Sequence, residues 1–72
     1  MMQSSDAWIT TKVKTKLLAT KELDSSQIKV ATEQGVVYLL GKVTRNQAKV
    51  AADATRTIAG VQKVVTLFEY LQ

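Results

Sequence analysis

Apolar and polar positions alternate along this chain in two different rhythms. Ile9, Val13, Leu17 and Thr20 recur at the spacing that lines one side of an α-helix. Asp6, just after Ser4 and Ser5, offers a side chain to cap it, and Lys12, Lys14, Lys16 and Lys21 gather where a helix dipole favours cations. The pattern predicts a helix from about Asp6 to Lys21. From Gln27 to Glu33 the period drops to two, with Ile28, Val30 and Thr32 on one side. Gln34-Gly35 then supplies a turn, with a residue free to take positive φ. Val36 to Val43 is β-branched, aromatic and almost continuously apolar, as in a central strand.

The helical period returns after Thr44, a good N-cap residue. Ala48, Ala51, Ala52, Thr55, Ile58 and Ala59 form one stripe, mostly alanine, so this helix can lie close to a sheet. Gly60 is expected to end it as a C′ glycine. Lys63 to Tyr70 reads as a last strand. The order is helix, strand, strand, helix, strand. The second strand, second helix and third strand make a right-handed crossover, so those two strands run parallel. The expected fold is therefore α+β: an αββαβ sandwich with two helices packed on one face of a three-stranded mixed sheet, strand order 1-2-3. Its other face would carry Val36, Tyr38 and Leu40, apolar enough to invite cover from a neighbouring domain or a second copy. Residues 1–5 read as a disordered lead and 6–72 as one domain.

Composition narrows the chemistry. A chain of 72 residues without His or Cys lacks the usual zinc, copper and haem ligands, the commonest general base and the thiol nucleophile. It leaves no room for a deep cleft beside a core. The carboxylates Asp6, Glu22, Asp24, Glu33, Asp53 and Glu69 form no pair with a nucleophile at motif spacing. Three glycines this widely separated match no phosphate-binding loop. The expectation is a protein that is not an enzyme and needs no cofactor or metal. No apolar run approaches a membrane span, and the first residues carry no secretory signal.

The net charge of +4 and a pI near 9.6 permit an anionic partner. The sequence does not favour nucleic acid as partner: it has no GXXG loop and no stacking-aromatic motif, and only Arg45 and Arg56 could make bidentate contacts. The first helix offers a sharper feature. At ~100° per residue, Trp8 lies about 140° from the centre of the Ile9/Val13/Leu17 stripe, with Thr11, Thr15 and Leu18 on the same outer side. Lys12 and Lys14 flank that patch. An indole among ammonium groups suits an anionic headgroup layer. The other reading has Trp8 folded over a sheet edge as peripheral core. Lys42, Arg45 and Lys49 read as a solvated face, with Asp53 a partner for Lys49.

Asp6-Ala7-Trp8-Ile9-Thr10-Thr11-Lys12-Val13-Lys14, Gly35-Val36-Val37-Tyr38-Leu39-Leu40-Gly41-Lys42-Val43 and Ile58-Ala59-Gly60-Val61 together resemble the BON domain, the family of bacterial osmotically inducible and nodulation proteins. The resemblance runs from Asp6 to about Tyr70 and is nearest to the second domain of outer-membrane lipoproteins that carry two such domains. It implies the αββαβ sandwich, a non-enzymatic role in the periplasm, association with phospholipid and support of the envelope under osmotic stress. Family glycines fall at Gly41 and Gly60, beside the turn glycine Gly35. Family members usually carry paired domains, and one is present here. The resemblance favours an anionic phospholipid surface as partner, with Trp8, Thr11, Lys12, Lys14, Thr15 and Leu18 as contacts. The alternative partner is a second BON domain or an envelope protein, met through the sheet face or edge.

Overall fold

The computed structural model describes residues 5–71, so most of the lead read at residues 1–5 lies outside the described residues. The described elements are α1 (Ser5–Leu18), β1 (Ile28–Glu33), β2 (Val36–Val43), α2 (Arg45–Arg56) and β3 (Lys63–Tyr70), with a single 3₁₀ turn at Ser25–Gln27 before β1. The sheet order is β1-β2-β3. β1 and β2 pair antiparallel, and β2 and β3 pair parallel. This is the expected α+β sandwich, with α1 packed against β1 and α2 against β2 and β3.

Alternation along the strands builds the core. Val37, Leu39 and Val43 of β2 are buried under the helices, as is Ile28 of β1. From above, Ile9, Val13 and Leu17 of α1 and Ala48, Ala51 and Ala52 of α2 close over them. Burying a Leu or Val side chain fully contributes about 1.5–3 kcal/mol, and Val13, Leu17, Val37 and Leu39 are all sealed from solvent. Among the described residues, no helix covers the opposite sheet face. Register places Lys29, Leu40 and Leu67 in one row, Ala31, Tyr38 and Val65 in the next, and Glu33, Val36 and Lys63 in a third. An apolar centre is thus rimmed by charge.

Both helices stop earlier than their patterns predict. α1 ends at Leu18 rather than Lys21. There the Thr20 amide donates to the Leu17 carbonyl and the Thr20 hydroxyl to the Lys16 carbonyl, so the last carbonyls are satisfied by a tighter turn. That turn swings Leu23 back against the core. Lys21 therefore lies beyond the helix. α2 opens with a full capping box: the Gln47 amide donates to Thr44 Oγ1 (3.1 Å) and the Thr44 amide to Gln47 Oε1 (3.0 Å). It ends at Arg56 with Thr57 as cap, so Gly60 is not its C′ glycine. Gly60 instead turns the chain into β3, where a side chain would press on Ile9.

Gly35, Gly41 and Gly60 all take positive φ, and Gln34 joins Gly35 in doing so at the β1–β2 turn. Gly41 is the strictest position, since a Cβ there would overlap the Gln27 carbonyl.

Candidate functional site

The outer side of α1 is where unspent chemistry collects. Its helical period buries Ile9, Val13 and Leu17 and turns Trp8 and Leu18 outward. Trp8 is 62% exposed and Leu18 74%, so Trp8 does not fold over the sheet as peripheral core. Ten residues apart, the two side chains stand about 15 Å from each other along the helix. Thr11 and Thr15 lie exposed between them. Their hydroxyls donate back to the Ala7 carbonyl (3.1 Å) and the Thr11 carbonyl (2.9 Å). With those protons engaged inside the helix, the stripe offers solvent few free donors.

The two flanking lysines differ. Lys14 is exposed and shares a shallow hollow with Leu18 and Ser25. Lys12 is half-buried: its ammonium donates to the Ala59 carbonyl at 3.1 Å and sits 5.8 Å from the centroid of the Trp8 ring. That contact holds the indole beside a cation and ties α1 to the loop after α2. Among the described residues, the ion pairs are Lys49 with Asp53 (3.7 Å) and Arg56 with Asp53 (2.7 Å), both on α2. The lysines of α1 have no carboxylate within pairing distance there.

Asp6 plays a part that the sequence pattern did not show. It sits in the first turn of α1 rather than at its cap, since the helix begins at Ser5. Its carboxylate accepts from the backbone amides of Gln34 (2.8 Å) and Gly35 (3.1 Å). Two amides converge because both turn residues take positive φ. Thr10 adds a second tie, donating to the Thr32 hydroxyl at 2.7 Å. Trp8 is thus carried on a helix bonded to the β1–β2 hairpin on either side of it. Sequence reading also missed Arg45, whose guanidinium stacks 4.6 Å from the Tyr70 ring centroid. A basic residue after a cap and an aromatic at a strand end, far apart in the chain, give no local sign of meeting.

Among the described residues, no cluster of acidic side chains could hold a metal ion, and no helix is long and apolar enough to cross a membrane.

The chain is similar to two curated proteins over nearly its whole length. A 21 kDa hemolysin of Actinobacillus pleuropneumoniae is 46% identical over 69 residues, covering 96% of this chain and 36% of that protein. The outer membrane lipoprotein DolP of Haemophilus influenzae is 46% identical over 68 residues, covering 94% of this chain and 35% of that protein. The chain thus spans about a third of the length of these curated relatives. The BON domain family matches residues 5–72, which takes in every element of the sandwich, and the chain belongs to that family.

Proposed function

We propose that this chain is a non-enzymatic module of the bacterial periplasm that binds anionic phospholipid peripherally through the outer side of α1, and so supports envelope integrity or osmotic-stress tolerance. One observation carries the reading: the exposed Trp8 and Leu18 share a helix with lysines that lack carboxylate partners among the described residues. An indole and a leucyl side chain anchor shallowly at the headgroup boundary, where amphipathic surfaces partition. Each lysine near an anionic surface adds about 1 kcal/mol, so Lys12 and Lys14 together contribute a factor of roughly 30 in affinity. The likeness to an outer membrane lipoprotein supports an envelope setting.

Co-sedimentation with vesicles of graded anionic content tests it. Binding should rise with anionic fraction and fall with salt. Trp8→Ala with Lys12→Ala should lose most of it. Equal binding by wild type and variant would remove the residue assignment, and no binding to any vesicle would remove the reading.

A second reading rests on the open sheet face. Val36, Tyr38, Leu40, Val65 and Leu67 form an apolar centre rimmed by Lys29, Glu33, Lys63 and Glu69, which suits a second BON domain or an envelope protein. A size that grows with concentration in light scattering supports it, and a strict monomer speaks against self-pairing.

A further inference from the structure

β3 is an edge strand unlike the other edge of the sheet. β1 carries Lys29 and Glu33 along its length, whereas Val64–Phe68 of β3 holds no charge across its middle. Such a stretch leaves alternate backbone N–H and C=O groups open to another strand, and charged or shortened edges are the usual protection. Here the protection comes from outside the strand. α2 packs over β3 on the same face of the sheet as α1, and Arg45, Lys49 and Arg56 project beside Thr66 and Tyr70 along one shallow groove. Ala48 and Ala52 are buried at its base, so the helix sits low and the groove stays open. Asp53 is the carboxylate near these cations, bridging Lys49 and Arg56, and its side chain is 56% exposed.

This overhang makes two copies poor partners. Pairing β3 with β3 would press two sets of the same cations together, at a cost. An acidic strand meets the opposite situation. Alternate residues of an added strand face the helix side and the open side. Carboxylates at every second position would meet Arg45, Lys49 and Arg56, and apolar residues between them would extend the rows of Val65 and Leu67. Surface pairs such as those of Asp53 contribute little and can be exchanged. We infer that the groove between α2 and the free edge of β3 takes an extended acidic peptide segment by strand addition, with Arg45, Lys49 and Arg56 reading its carboxylates. The site is separate from the outer side of α1 and does not depend on lipid binding.

The test is an NMR titration of the chain with a capped peptide of alternating Glu and Val, matched to the 8 residues of β3. Shifts should gather on residues 63–71 and on the side chains of Arg45 and Arg56, and hydrogen exchange should slow at alternate amides of β3. Charge reversal at two exposed positions, Arg45→Glu with Lys49→Glu, should weaken binding at least about tenfold. The variant's unbound spectrum reports whether it is folded, and an Arg56→Gln variant gives a milder second reading. A peptide N-methylated at alternate residues should not bind. Equal binding by the N-methylated peptide, or by a Lys/Val peptide, would overturn the proposal. So would a titration in which duplex DNA or anionic vesicles shift the α2 cations and the acidic peptide shifts nothing.

Discussion

The two helices cover the same sheet face but handle their surfaces differently. α2 is closed on itself. Its first turn is satisfied by the Thr44–Gln47 box, its buried Thr55 hydroxyl donates to the Ala51 carbonyl at 2.8 Å, and two of its cations share Asp53. α1 has larger core residues, yet it leaves in solvent an indole, a leucine and the lysines Lys14 and Lys16, which have no carboxylate within pairing distance among the described residues. The difference separates architecture from function. Where side chains are mutually satisfied, their identity is explained by folding. Where folding leaves them unsatisfied, as on the outer side of α1, the proposed phospholipid surface would account for them.

The contrast can be broken experimentally. The largest effect should come from the core side of α1. Leu17 is buried and packs in the centre of the core, so Leu17→Ala should cost about 3 kcal/mol in urea denaturation. On α2 the critical property is smallness. Ala51 is fully buried under its sheet, and Ala51→Leu should cost about 2 kcal/mol by overpacking. Removing the cap by Thr44→Ala should lose about 1 kcal/mol, since two amide-end bonds go with the box. The smallest effect on stability sharpens the comparison most. Trp8→Ala with Leu18→Ala should change unfolding by no more than about 0.5 kcal/mol, because both side chains are exposed, while vesicle binding should drop sharply. A large loss of stability in that double variant would make the patch structural and return α1 to the same class as α2.

Much of this division is legible in the sequence. Apolar spacing located β1 and both helices, β-branched and aromatic content located β2 and β3, and counting by twos along β2 separated Val37 and Leu39 from Val36, Tyr38 and Leu40. The angular position of Trp8 and Leu18 on α1 was legible for the same reason, since a helix has a fixed pitch. Helix ends were not. Thr20 and Thr57 close the helices by side-chain and i−3 bonds that compete with the regular ladder, while the periodic stripe includes Thr20 on α1 and runs on to Ile58 and Ala59 after α2. Contacts between distant segments were hidden as well. Asp6 looks like a cap from its neighbours alone, and only the folded hairpin brings the Gln34 and Gly35 amides to it. The hold of Ala59 on Lys12 has the same origin.

The Asp6 clamp also has a mechanical side. Its two bonds span 28 and 29 residues of chain, so the start of α1 is fastened to the turn that feeds the central strand. A pull arriving from the N-terminal direction loads that turn, and through it β2, before it can peel the helix from the sheet. Trp8, two positions further on, therefore takes its angle to the sheet from a helix end that the hairpin itself holds.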